Sequence, residues 1–170
     1  MARGGMSRMA LRVAVTDSGD QPVLQLSDPA AANAAIFGTK AALLASLTQA
    51  GFQVPAGFAV AVSACAGLLA AYGAELPDPL RAAIRAALDA IGGGGVFAVR
   101  SSALREDSAN ASAAGLYQSV LDVAADAENL DALGAALRTV VSSAGGERVQ
   151  AYASRLGHGE NSVEPPGIVK

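Results

Sequence analysis

The chain has 170 residues, a length that fits one domain or one lobe of a larger domain. Hydrophobic residues make up 52% of it and charged residues 16%, so a largely disordered chain is excluded. The net charge of -3 argues against a nucleic-acid-binding protein, and the single cysteine and single histidine exclude an internal disulfide and any site built from two histidines.

The N-terminal half contains a long uncharged stretch, from Ala41 to Ala74, which raises the question of a membrane helix. Gly51, Pro55 and Gly57 interrupt this stretch, and its many small residues are only weakly apolar. We therefore interpret it as buried helix and strand without a membrane span, and the cytoplasm is the default compartment. Residues 1–20 are predicted to be a loose N-terminus, because arginines interrupt their apolar residues and argue against a secretory signal.

The first predicted elements are a short strand and a helix. Pro22–Leu26 has the composition of a strand, and Asp28 before Pro29 resembles a helix start. An apolar stripe of leucines then predicts a helix over Lys40–Ala50.

A turn, a buried strand and a second helix are predicted next. Gly51 fits the left-handed position just past a helix end, and Phe52 is expected to pack back against that helix. Gly57–Val62 is predicted to be a buried strand. Ser63 is predicted to cap a helix over Ala64–Tyr72, whose single cysteine is expected to be buried.

The middle of the chain is predicted to form a helix followed by a strand. Asp78 and Pro79 mark the helix start, and Gly92–Gly95 are expected to end it as a flexible connector. Val96–Val99 reads as a strand of the fully buried type. This strand delivers Arg100–Ser102 at its C-terminal end, where α/β proteins commonly place their chemistry.

The remaining residues are predicted to hold a loop, a strand, two helices and an irregular tail. The polar loop covers Ala103–Ala114 and the strand covers Leu116–Val123. The longer helix is marked by apolar residues from Leu130 to Val141 and is ended by Gly145 and Gly146. The shorter helix covers Val149–Leu156, and the tail covers residues 158–170.

Lys40 is the first candidate for chemistry, because it is the only lysine before the C-terminal residue. A lysine is a compact charge that suits phosphate oxygens, and the N–H groups of a helix start also favour anions. A solvated lysine at a helix start is an equally good interpretation of its position alone.

Arg100 is the second candidate, because it directly follows four apolar residues of a predicted strand. A cation there needs an anionic partner. The local sequence slightly favours an ion pair with Glu106 or Asp107. The other interpretation is a phosphate contact, assisted by the hydroxyls of Ser101 and Ser102.

The segment Ser112–Gly115 is a run of small residues before a strand. Small residues let a backbone approach a ligand closely. Taken alone, the run is better interpreted as a plain loop.

Four blocks of sequence together resemble a known family. They are Phe37–Leu44, Gly51–Phe58, Phe97–Asp107 and Ala111–Val123. In this order they resemble the N-terminal, ATP-grasp-type nucleotide-binding domain of the phosphoenolpyruvate synthase and pyruvate phosphate dikinase family, which rifampicin phosphotransferase and glucan water dikinase share. The resemblance implies an α/β (α+β) fold, the N-terminal lobe of an ATP-grasp-type domain over residues 21–157, with a small mixed sheet flanked by helices.

The resemblance also implies a set of phosphate contacts. The family's phosphate-binding lysine matches Lys40, its V-R-S-S arginine matches Arg100, and its glycine-containing loop over the triphosphate matches Asn110–Gly115. Gln118 stands where the family often has an acidic residue. The predicted ATP phosphate contacts are Lys40, Arg100, Ser101, Ser112, Ala113, Ala114 and Gly115.

The function implied by the resemblance is that of an ATP-binding lobe of a phosphotransferase. ATP with Mg²⁺ is the expected cofactor, and the metal ligands and the phosphorylated histidine are expected to lie outside this chain, so a second chain is a predicted partner. The alternative is a truncated or degenerate module with a regulatory or scaffold role. No nucleic acid or membrane is expected to bind.

Overall fold

The structure is a computed structural model, and it describes residues 21–70, 75–102, 107–108, 111–112, 118–143 and 167–169. Within these ranges the chain forms strands, α-helices and one 3-10 helix, Pro29–Ala32. The strands are β1 (Val23–Gln25), β2 (Phe58–Val60), β3 (Gly94–Ser102), β4 (Asp107–Ser108), β5 (Ala111–Ser112), β6 (Ser119–Asp126) and β7 (Gly167–Val169). The helices are α1 (Ala34–Gln49), α2 (Val62–Ala70), α3 (Asp78–Ala90) and α4 (Asp131–Ser143).

Five of these strands form one sheet in the order β1-β2-β7-β3-β6, and each described pairing is antiparallel. The α/β class is confirmed, but the predicted mixed sheet becomes an antiparallel one for a topological reason. The chain passes from β2 through α2 and α3 into β3, which runs parallel to β2. These two strands do not pair with each other, because β7 lies between them. Strand β7 runs between them in the opposite direction and so pairs antiparallel with both.

Strand β7 comes from the segment predicted to be an irregular tail. Gly167–Val169 pairs with β2 on one side and with β3 on the other, so the prediction of an irregular tail is wrong for these residues. A strand of 3 residues is too short to show a two-residue periodicity, and partners distant in sequence supply its ladder.

The sheet separates two groups of buried side chains, as the alternation of strand side chains requires. Phe58 and Val60 of β2 lie in the larger core with residues of α2, α3 and α4. Ala59, between them, lies in a smaller core with Phe37 and Ala41 of α1. Helix α1 and the 3-10 helix therefore cover one face of the sheet, and α2, α3 and α4 cover the opposite face.

Strand β3 is covered on only one face along its first half. Phe97 and Val99 are buried in the larger core, whereas Val96 is 64% exposed. The prediction of a fully buried strand is therefore wrong for Val96. Gly94 and Gly95 belong to β3 rather than to a connector, while Gly92 and Gly93 make the turn before it with positive φ values of 106° and 83°.

The structure adds a turn before one predicted helix and moves the start of another. Helix α1 begins at Ala34, capped by Asn33, but Gly38 has non-helical φ and ψ values, so the main part of the helix begins next to Lys40, where the start was predicted. Helix α2 begins at Val62, so Ser63 lies inside its first turn and is not the N-cap. The cap predicted at Asp28 is confirmed, because its Oδ1 accepts the N–H of Ala30 at 2.8 Å, but it opens only the 3-10 helix.

The end of α1 follows the predicted backbone but not the predicted packing. Gly51 has a φ of 83°, and the Phe52 N–H donates to the Leu47 carbonyl at 3.0 Å, which is the expected helix-ending pattern. The Phe52 side chain is 64% exposed, so the prediction that it packs back is wrong. The backbone pattern is local, whereas burial of the ring needs a covering surface.

The uncharged stretch divides into α1, β2 and α2. Across the described part of the chain, every helix falls short of the combined length and apolarity that a bilayer crossing requires. Residues 1–20 and the helix predicted at Val149–Leu156 lie outside the described residues.

Cys65 is predicted to be buried, and the structure confirms this with no exposed area. Burial raises the pKa of its thiol from 9.0 to about 12. We expect a thiol reagent at about pH 8 to label the folded chain at least ~100-fold more slowly than the denatured chain, because the thiolate is the reactive form. The free energy of unfolding should also fall as the pH rises from 9 toward 12, where only the unfolded thiol ionises.

A timed labelling assay with and without denaturant measures the first effect. Equal labelling rates in the two conditions would show that Cys65 is accessible and that α2 is not packed as described.

Candidate functional site

The site is built around a break in helix α1. Gly38 interrupts the helix with a φ of 79° and a ψ of 166°, so that the main part of the helix begins beside Lys40. A Cβ at Gly38 would lie 1.5 Å from the carbonyl oxygen of Ser102, the last residue of β3. Only glycine allows the backbone of α1 to approach the backbone of β3 this closely. The break in the helix therefore packs α1 directly against the C-terminal end of β3.

A second contact fixes the other side of Lys40 to the same serine. The Ala41 N–H donates to the Ser102 Oγ at 2.8 Å, and this hydrogen bond is buried. The first N–H groups of a helix have no partner within the helix. Ser102 supplies one partner from 61 residues away, as an N-cap side chain does from within its own helix.

The Lys40 side chain reaches the same strand end. Its Nζ donates to the Ser101 carbonyl oxygen at 3.3 Å, and the side chain is half-buried. The structure therefore brings together Lys40 and the Arg100–Ser102 block, which the sequence separates by 60 positions or more.

The Arg100 side chain lies on the face of β3 that packs against α1. Side chains two apart on a strand share a face, so Arg100 points to the side on which the Ser102 Oγ meets α1. Arg100 is exposed, and it makes no ion pair with any side chain that the structure describes. Glu106, one predicted ion-pair partner, lies outside the described residues, and the side chain of Asp107 is not described.

Side chains alternate between the two faces of β3, and Ser101 therefore does not have the role predicted for its hydroxyl. Its side chain is 2% exposed and belongs to the opposite face of the strand from Arg100 and Ser102. Ser101 contributes its carbonyl oxygen to the Lys40 ammonium. The hydroxyl that faces α1 is that of Ser102, which is absent from the predicted set of phosphate contacts.

The predicted loop over the phosphates is only partly described. Within the predicted polar loop Ala103–Ala114, the Asp107–Ser108 and Ala111–Ser112 strands form a small antiparallel hairpin. Ser112 is paired with Asp107 in that hairpin. Ala113, Ala114 and Gly115 lie outside the described residues, so their approach to a ligand stays a prediction.

The arrangement suits an anion with several oxygens. A half-buried ammonium, an exposed guanidinium and the start of a helix lie at one edge of the sheet. Positive groups of this kind bind phosphate oxygens, the guanidinium as a two-pronged donor and the ammonium as a point charge. Within the described ranges, no three His, Cys, Asp or Glu side chains cluster in a way that could hold a metal ion.

The sequence interpretation missed the parts played by Gly38 and Ser102. The sequence shows Gly38 only as a glycine two residues before Lys40. Its positive φ accompanies a close contact with β3, which the local sequence does not reveal. Ser102 was visible only as a hydroxyl beside Arg100, because its hydrogen bond joins residues far apart in the sequence.

Comparison with protein families decides the assignment. Residues 70–164, more than half of the chain, match the family described as pyruvate phosphate dikinase, AMP/ATP-binding domain. The chain belongs to this family. The match contains the α3–β3 unit with Arg100 and Ser102, and the predicted loop at Ser112, whereas Lys40 precedes the matched residues.

Membership of the family of AMP/ATP-binding domains agrees with the resemblance and with the α/β architecture. Because the match begins after α1, the place of Lys40 in the site depends on the contacts of Lys40 and Ala41 with β3. A comparison with curated proteins found no match.

Proposed function

We propose that this domain binds ATP with its phosphates at the C-terminal end of β3, held by Lys40 and Arg100. The observation that carries the proposal is the hydrogen bond from Lys40 Nζ to the Ser101 carbonyl, within a chain of the AMP/ATP-binding family. This bond places the lysine charge beside the strand that carries Arg100. An ammonium that donates to a carbonyl oxygen carries the same point charge that suits a phosphate oxygen.

The proposed role is to hold ATP for phosphoryl transfer to a histidine on another domain or a second chain. Catalysis of phosphoryl transfer depends mostly on positioning and on neutralising charge. Lys40 and Arg100 supply charge, and the small-residue loop Ser112–Gly115 covers the phosphates in this proposal. Mg²⁺ enters with the nucleotide, and we assign it no ligand among the described residues. A cytoplasmic location is part of the same proposal.

Isothermal titration calorimetry with ATP and Mg²⁺ tests the proposal. Lys40→Ala and Arg100→Ala are each expected to weaken ATP binding by about 10- to 100-fold, the usual effect of losing a hydrogen bond to a charged group. Arg85→Ala is the matched control, because Arg85 is exposed on α3, which packs on the opposite face of the sheet. Its affinity for ATP should stay within about twofold of the unsubstituted chain.

The alternative role, a non-catalytic regulatory or scaffold module, predicts a different result. In that case the unsubstituted chain binds no ATP, or all three variants bind it equally well. Either result would overturn the proposed ATP site.

A further inference from the structure

We propose that Ser102 is a positioning residue that sets the place of the Lys40 ammonium and, through it, the affinity for ATP. This inference rests on the proposed ATP-binding function. Ser102 has no exposed area, and Gly38 packs directly on its carbonyl oxygen. It acts through Lys40 rather than by touching the nucleotide.

The first step of the argument is that Ser102 holds the backbone on both sides of Lys40. On one side, Gly38 packs so closely that a Cβ would lie 1.5 Å from the Ser102 carbonyl oxygen and 2.7 Å from its Oγ. On the other side, Ala41 donates its N–H to the same Oγ at 2.8 Å. The backbone on both sides of Lys40 therefore contacts the same buried serine, through packing at Gly38 and through the hydrogen bond of Ala41.

The second step concerns the lysine itself. Its ammonium ends a flexible four-carbon stem, so the side chain provides little pre-organisation of its own. The contact from Nζ to the Ser101 carbonyl then depends on where the backbone of α1 starts. Binding groups lose affinity steeply when their support is loosened. Loss of the Ser102 hydroxyl should therefore weaken ATP binding through Lys40 alone.

A double-mutant cycle tests this coupling by calorimetry with ATP and Mg²⁺. Ser102→Ala is expected to weaken ATP binding about tenfold when Lys40 is present and less than about twofold in the Lys40→Ala background. Ser46→Ala is the matched control. Ser46 also lies on α1 and donates one hydrogen bond, to the Ala42 carbonyl at 2.8 Å, but that bond stays within the helix. This control should leave ATP affinity within about twofold.

Hydrogen exchange of the Ala41 amide gives a second readout, which needs no substitution. A hydrogen bond that strengthens ATP binding tenfold must itself be strengthened by bound ATP to the same degree. Saturating ATP is therefore expected to slow exchange of the Ala41 amide about tenfold more than exchange of the Ala50 amide, which donates to the Ser46 carbonyl at the other end of α1. Equal slowing of the two amides would reflect general stabilisation by the bound nucleotide and would overturn the positioning role. This readout decides the question if Ser102→Ala fails to fold.

The outcomes separate the inference from the function on which it rests. An unsubstituted chain that binds no ATP overturns both. A chain that binds ATP, with the same Ser102→Ala penalty in both backgrounds or with Ala41 exchange unchanged by ATP, overturns the positioning role and leaves the ATP site standing.

Discussion

Replacing Gly38 with alanine is expected to lower the free energy of unfolding by about 3 kcal/mol or more. Two effects add at this position. The backbone, at φ 79° and ψ 166°, lies in a region that glycine alone occupies readily. The new Cβ would also overlap the Ser102 carbonyl oxygen at 1.5 Å, so α1 must move away from β3. Denaturation by urea, followed by circular dichroism, measures the change.

Gly51→Ala is the matched control for this prediction. Gly51 has a similar φ of 83°, but no atom lies within 4 Å of a Cβ built on it. Its substitution should therefore show the backbone strain alone, about 1 kcal/mol. Equal losses in the two variants would mean that Gly38 is not seated on Ser102, and the description of the site would fail with it.

Phe37→Ala is expected to lower the free energy of unfolding by about 3–5 kcal/mol. The Phe37 ring has no exposed area, and it lies in the smaller core between α1 and the sheet. Truncation removes its buried surface and leaves a cavity directly before the break at Gly38. Urea denaturation should show a lower midpoint with an unchanged dependence on urea concentration.

Phe52→Ala is the control for the loss of a phenyl ring. Phe52 is 64% exposed just past the end of the same helix, so its removal should change stability by no more than about 0.5 kcal/mol. A loss similar to that of Phe37→Ala would show that Phe52 packs against the helix after all. A small loss in both variants would show that α1 is not packed on the sheet.

Helix α3 and strand β3 illustrate what could be predicted from sequence. Leu80, Ile84 and Leu88 recur at helical spacing, and all three are buried on one side of α3. The strand after them was placed correctly, because a run of apolar β-formers after a glycine-rich turn has few other structures open to it. The left-handed Gly51 also followed from its position alone.

Exposure was harder to predict than secondary structure. Val96 and Phe52 are both more than half exposed, although each is apolar and lies in or beside a correctly placed element. Whether such a side chain is buried depends on which other element covers it. A local pattern contains no information on that, and for the same reason the strand at Gly167–Val169 had no signal of its own.

The candidate site divides in the same way. The phosphate-binding role proposed for Lys40 and Arg100 comes from the residue types and from the resemblance to the family, and it stays a prediction. Their meeting at one strand end could not be predicted in this way, since it depends on Gly38 packing on Ser102 and on a hydrogen bond between residues 61 positions apart. Ser101 shows the limit most clearly, because its carbonyl contacts Lys40 while its side chain is buried on the other face.

The sequence by itself determined the α/β class, the order of most elements, the family and the two cations proposed to bind phosphate. These follow from periodicity, turn residues and ordered motifs, all of which are properties of short segments. Only the tertiary structure decided the antiparallel pairing of the sheet, the exposure of one face of β3 along its first half, and the contacts of Ser102 with the backbone on both sides of Lys40. Each of these depends on contacts between segments far apart in the chain, where packing rather than local preference fixes the outcome.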